Sequence, residues 1–430
     1  MPNPTGNNQY GEKKYPSDSD LYDSFIQYSR ENSGSGLSAD EQLARLEKEH
    51  GLSISRRKLF DLRKKLQIPS VQKNTSLRHD RAQATIDLKT NDLAGKWGVE
   101  QARQRLANKG VLIARDELRE HLHDHFDEEF DKRFIGSRGA IDCIPLNCLG
   151  PWHQVHCDGH EKLNDQALNM GTVKLPIYAF KDQFASFVLA MQVLPNVRNK
   201  ETICHLFLDL VEMYGGRIPL QIVMDMGSKI GDMCRAQAVL RAEAAPDFTE
   251  AEWPSTVQVQ SKKNTPIEGF WRWKRNGEGH SIREAILIGR NNGIYNPNNI
   301  LHVNVFNWLW PPLVQHRLDE FCEYWNNHRV SSQKKKLLPS GTSPRQMWTS
   351  PESVRADAHD CSVYINLDTV SRLRDGIGGV EGRAKAFAFV DPEFQALADD
   401  ALGQLEYPGI DLRTAWDVFV AVVDILSQPT

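Results

Sequence analysis

At 430 residues the chain is too long for one hydrophobic core and is sized for two to four domains. With 40% hydrophobic and 25% charged residues it reads as a soluble globular protein, and a formal net charge of −4 excludes a chain that is basic throughout. Contact with nucleic acid would therefore have to use local patches. Seven cysteines, an odd number without a Cys-x-x-Cys pair, fit a reducing compartment, and no 18-residue apolar run or signal-peptide pattern points to a membrane span or to secretion.

Residues 1–36 are poor in apolar side chains and read as a disordered arm, with one short helical stretch over Leu21–Tyr28. From Ser38 the pattern changes. Ser38 and Glu41 form a capping box before Leu43 and Leu46, and Gly51 breaks that helix. Ser55 caps a second helix with Leu59, Leu62 and Leu66 inside and Arg56, Arg57, Lys58, Arg63, Lys64 and Lys65 outside. Two short helices around a glycine turn predict a helix-turn-helix over 37–70, whose basic second helix either enters a DNA groove or is merely solvated. The spacing returns 59 residues later: Gly51, Ile54, Arg56 and Leu59 match Gly110, Ile113, Arg115 and Leu118. A second, less basic unit is expected over 82–135, joined through a polar linker near Gln72–Arg81. His121, His123 and His125 alternate, so they do not share a helix face and read as a solvated helix end rather than a zinc site.

The region 145–350 has a different texture. Ile177–Phe180 and Phe184–Val193 read as a hairpin turning at Lys181-Asp182-Gln183. Asn199 caps a helix with Ile203, Leu206, Phe207, Leu210 and Val211 inside, and Gly215-Gly216 ends it. Leu220–Met224 is a buried-type strand. Hairpin, helix, strand, helix is the order of an α/β layer fold. Asp158, in WHQVHCDGH, and Asp225, in LQIVMDMGS, fall at strand ends, and Glu268 opens a helical segment rich in Trp, Arg and Lys. Such a trio suits phosphodiester chemistry, where hard divalent ions need converging carboxylate oxygens. Asp182 and Asp209 sit in a turn and on a helix's polar side and are set aside. His160, two residues past Asp158, either contacts phosphate or water or bonds within the first acid's surroundings. Lys262, Lys263, Arg272, Lys274 and Arg275 bracket Glu268 as a DNA backbone passing the acids would require. Phe270, Trp271 and Trp273 read as core anchors, with base stacking the other role open to them.

The ordered acids, 67 and 43 residues apart, together with IEGFW at 267–271, NNGIYNPNN at 291–299 and LDEFCEYWNNHR at 318–329 running into LPSGTSPRQMW at 338–348, resemble the DDE integrase and transposase superfamily. More narrowly, they are similar to the integrase core proteins of transposon origin found in fungi. The resemblance covers roughly 40–350. It implies an α/β fold with a ribonuclease-H-like mixed-sheet core, while the helix-turn-helix units before it and the helical region after it are read from the residues themselves. It also implies Mg2+ or Mn2+ held by Asp158, Asp225 and Glu268, with Asp158 bridging two ions. Double-stranded DNA, transposon ends among it, is the implied partner, with a homo-oligomer assembled on DNA and a nuclear location. The sequence departs from the family at Met226-Gly227-Ser228-Lys229, in an acidic insertion over Ala244–Glu252 that lengthens the second interval, and at Gly269, where the family often has Arg. Three readings follow: a metal-dependent strand transferase or nuclease, a domesticated inactive DNA-binding protein, and, more weakly, an RNA-directed role. Beyond the core, Asn326–Arg329 and Lys334–Lys336 suggest a basic, amide-rich loop, and 357–430 a separate acidic helical region with a stripe of Trp416, Val418, Phe419, Val422 and Ile425.

Overall fold

The caps signalled by the sequence are made. A computed structural model describes residues 15–71, 76–93, 95–131, 148–161, 163, 165–225, 230–259, 264–333, 337–405 and 409–428. Its first helices are α1 (Asp18–Arg30), α2 (Ala39–His50) and α3 (Arg56–Lys65). Ser38 Oγ accepts from the Glu41 N–H while the Glu41 carboxylate accepts from the Ser38 N–H, a capping box worth about 1 kcal/mol. Gly51 closes α2 at φ 62°, a left-handed conformation that favours glycine. The second half of the arm expected over 1–36 is instead structure. Leu21, Phe25 and Tyr28 of α1 are buried with Leu46, Leu59 and Leu62, because two short helices alone leave that apolar face open. Residues 1–14 lie outside the described residues.

A second set repeats the first: α4 (Arg78–Lys89), α5 (Val99–Asn108) and α6 (Arg115–Asp131). Gly110 takes φ 84° where Gly51 takes 62°. Arg115 pairs with Glu100 at 2.8 Å as Arg56 pairs with Asp40 at 2.5 Å. Leu88, Trp97, Leu106, Ile113, Leu118 and Leu122 form its core. The linker is shorter than expected, since Arg78–Arg81 already form the first turn of α4; residues 72–75 and 132–147 lie outside the described residues. His121 is buried rather than solvated, being one turn from Leu118 on the inward side, whereas His123 and His125 are exposed as expected.

The α/β layer follows. It comprises β1 (Gln154–His160), α7 (Asp165–Leu168), β2 (Ile177–Asp182), β3 (Val188–Val193), α8 (Lys200–Met213), β4 (Arg217–Ile218), β5 (Gln221–Asp225), α9 (Gly231–Ala244), β6 (Thr256–Val259) and α10 (Thr265–Lys274). Five strands form one mixed sheet in the order β3-β2-β1-β5-β6, antiparallel from β3 to β1 and parallel from β1 to β6. The hairpin turns later than expected. Asp182 ends β2, wholly buried, and its carboxylate accepts from the Trp152 N–H at 2.9 Å and the Ala185 N–H at 2.7 Å. Burial pushes its carboxyl up to about 7. Asp182 therefore stays out of the acid trio for a structural reason, not because it is solvated.

A π-helical turn, Arg275–Gly279, leads from α10 into α11 (His280–Asn291), followed by the long α12 (Ile300–Asn327) and α13 (Pro344–Thr349). Then come β7 (Val363–Tyr364), α14 (Leu367–Asp375), α15 (Gly379–Phe387), α16 (Pro392–Gly403) and α17 (Ala415–Leu426). This last region is helical but not separate. β7 pairs with β4, Arg374 and Arg383 reach Asp209 of α8 at 2.9 and 2.8 Å, and Trp416 donates to the Ala285 carbonyl at 2.8 Å. Trp416 lies so close to Gly289 that a Cβ there would meet its ring at 2.3 Å. Among the described residues no helix is long and apolar enough to cross a membrane.

The amide-rich loop expected over Asn326–Arg329 starts later, since Asn326 and Asn327 end α12 as a joint and only His328 and Arg329 follow it. Asn326 covers the edge of β3, accepting from the Val188 N–H at 2.8 Å and donating to its carbonyl at 3.0 Å. The Asn327 carbonyl accepts from the Asn32 N–H at 2.8 Å. Ser343 donates to Glu31 at 2.6 Å, and Arg45 reaches Glu31 at 3.1 Å, all three buried. The segments 318–329 and 338–348 thus seat the first helical set on the core. Lys334–Lys336 lie outside the described residues.

Candidate active site

Two parallel strands bring the aspartates level. The pairing of His156 with Val223 puts Asp158 beside Asp225 two residues further along β1 and β5. Level residues on adjacent strands face the same side of a sheet, with backbones about 4.8 Å apart. Asp158 is held at both oxygens: Oδ1 accepts from the Gly159 N–H at 2.8 Å and Oδ2 from Trp271 Nε1 at 3.0 Å. Its carboxyl is nevertheless pushed up to about 7, first by burial and then by the negative charge of Asp225, with a smaller push from Glu268. The three acids therefore share one electrostatic neighbourhood.

Helix α10 supplies the rest. Pro266 lies in its first turn, as does Glu268, which is exposed. Trp271 follows three residues on, so Glu268 and the indole that grips Asp158 neighbour each other on the helix. His160 lies flat against Trp271, ring centroids 4.7 Å apart and planes 14° apart, and is itself buried. It belongs to the first acid's surroundings rather than to an open face. Asn264, just before α10, donates to Asp225 Oδ1 at 3.2 Å and accepts at its own Oδ1 from His156 Nδ1 at 2.6 Å. The other His156 nitrogen contacts Gln183. Burial pushes His156 down to about 4, so it stays neutral.

Residues 148–360 match the family model of the integrase core domain. This segment is an integrase core. It contains Asp158, Asp225 and Glu268, and its mixed sheet flanked by helices is the ribonuclease-H-like arrangement expected of that core. No curated protein matches the chain significantly.

The donor set of the integrase core suits a hard divalent cation: carboxylate oxygens brought together, with the Asp158 carboxyl pushed up first by burial and then by the charge of Asp225. Yet among the described residues no three His, Cys, Asp or Glu side chains stand close enough to form a ready cage. Trp271 and Asn264 occupy lone pairs of the aspartates, and Glu268 stays at the rim. Several basic candidates also differ from expectation. Lys274 is buried beneath the helix, pushed down to about 8 by burial, and does not face a DNA path. Arg272 is exposed, and Lys262 and Lys263 lie outside the described residues, as do Met226–Lys229. Phe270 and Trp271 are core anchors; Trp273 is not, at 57% exposed. On α3, Arg57, Lys58 and Lys64 are exposed and Arg56 is tied to Asp40, whereas Arg63 turns inward to Gln42 at 2.8 Å.

Sequence reasoning passed over Asn264 and Glu278. Asn264 carried a signal, standing just before the Thr-Pro that opens a helix four residues ahead of Glu268. Glu278 carried none, because its partners come from distant α5 and α12.

Proposed function

We propose that the chain is a transposase- or integrase-like enzyme that cuts or joins DNA strands, with Asp158, Asp225 and Glu268 as ligands for Mg2+ or Mn2+. The observation that carries this is the level placement of Asp158 and Asp225 on adjacent parallel strands, within electrostatic reach of Glu268. When bound, such ions lower the pKa of an attacking water or 3′-hydroxyl and neutralise charge on the phosphate. The protein's own part is orientation. Trp271 fixes the Asp158 carboxylate, Asn264 fixes Asp225, and neutral His156 fixes Asn264. Double-stranded DNA is the proposed partner, including transposon ends, with a homo-oligomer assembling on it in the nucleus. The test is a nicking assay on end-labelled duplex in Mg2+ or Mn2+ with the full chain. Cleavage is expected in at least one metal, and none in either would defeat the enzymatic reading.

A second reading, a domesticated DNA-binding protein with an inactive core, draws on one observation: Glu268 stands exposed and the trio, among the described residues, forms no closed cage. Both readings use α3 as a helix-turn-helix reader. Replacing Arg57, Lys58 and Lys64 with Ala should weaken duplex binding at every sequence. It should also reduce the slope of log affinity against log salt by roughly 0.9 for each phosphate that is no longer neutralised. A slope unchanged in the triple variant would remove α3 from the DNA interface.

A further inference from the structure

The exposed sector of α10 is composed like a nucleotide shelf. Going round the helix from Glu268 at about 100° per residue, Arg272 comes next, then Gly269, then Trp273. All four are exposed, and Glu268 and Trp273 bound the sector about 7.5 Å apart along the axis. Gly269 leaves the middle open: a Cβ there would meet nothing within 4 Å. Trp273 is exceptional for this protein. Seven of the ten tryptophans are at most 7% exposed, whereas Trp273 is 57% exposed. Its ring is not loose, for it stands edge-on to Trp325 at 6.4 Å, and Trp325 is itself anchored by a 2.7 Å bond to the Ser186 carbonyl. A single exposed apolar residue on a surface is ordinary. A braced indole beside an open glycine, an exposed arginine and one acid of the trio is not.

We propose that Trp273 is a stacking platform for an unpaired base of the DNA strand handled at the acids, with Arg272 taking an adjacent phosphate. The inference rests on the DNA-processing reading and specifies its substrate as duplex DNA with an unpaired nucleotide at the reacting end. An indole face accepts any base, so the platform selects strand state rather than sequence. A cation beside it holds the backbone, which every nucleotide also carries.

The test uses the full chain in Ca2+ and two fluorescent duplexes, one blunt and one identical but for two unpaired nucleotides at a 3′ end. Wild type is expected to prefer the unpaired end by about 5- to 150-fold, the range that stacking of one base supports. Trp273→Ala should lose that preference while binding blunt duplex as before, and Trp273→Phe should keep most of it. A 2-aminopurine at the unpaired position should be quenched by wild type and not by Trp273→Ala. If wild type binds both duplexes equally, or if Trp273→Ala keeps the preference, the platform is overturned and the DNA-processing reading stands. If wild type binds neither duplex, both fall together.

Discussion

Glu278→Ala is expected to destabilise the protein by about 3–5 kcal/mol, the cost of leaving buried charges without their partner. Glu278 is fully buried in the π-helical turn after α10. Arg105 of α5 reaches it at 2.7 Å and Arg317 of α12 at 2.6 Å. Both guanidiniums lie over Trp97, 4.0 and 5.3 Å from its centroid, and the Trp97 indole donates to the Gly277 carbonyl at 3.2 Å. Buried Lys274 also feels the Glu278 charge. Removing this carboxylate therefore strands Arg105, leaves Arg317 only its 3.1 Å pair with half-buried Glu320, and disturbs an ammonium, inside a joint linking the second helical set to the helix that carries Glu268. Glu278→Gln keeps the shape and some hydrogen bonding, so it should fall between wild type and Ala. Urea unfolding reads this as a lower midpoint. A decrease in Glu278→Ala below about 1 kcal/mol would mean water relieves the arginines, contrary to their burial.

Asp158→Asn should reduce metal-dependent cleavage by orders of magnitude and leave duplex affinity nearly constant. The substitution keeps size and leaves one oxygen, but it removes the charge that a hard divalent cation requires. On the proposed reading, duplex affinity rests elsewhere, on α3 and on Arg272. Trp271→Phe is the companion variant, because it removes the indole donor to Asp158 Oδ2 while keeping an aromatic ring beside His160. Losing a group that orients a metal ligand typically costs about 10- to 100-fold, so Trp271→Phe should fall between wild type and Asp158→Asn. Cleavage by Asp158→Asn at the wild-type rate would separate Asp158 from the chemistry.

Local signals in the sequence were enough for several elements. The Ser38–Glu41 box, the Ser55 and Asn199 caps and the Gly51 and Gly110 stops concern neighbours in the chain, and the structure makes each of them. The strand placing Asp225 was equally plain, since a short apolar run bounded by Gly-Gly and a polar residue has few other fates. What could not be seen depends on distant partners. Asp182 looks like a turn residue until the Trp152 N–H arrives from β1's approach. Lys274 looks like a DNA contact until Glu278 and the core cover it. The arm reads as mobile because Leu21, Phe25 and Tyr28 find a core only against α2 and α3. Asn326, Asn327 and Ser343 carried the family resemblance, but their work of holding α12, β3 and the first helical set together emerges only in three dimensions.

The most direct measurement is calorimetric titration of Mn2+ into the full-length protein and into Asp158→Asn, Asp225→Asn and Glu268→Gln. If the three acids share divalent ions, wild type binds Mn2+ and each single variant loses most of that binding while keeping its fold by circular dichroism. Wild-type affinity retained in all three variants would contradict the assignment.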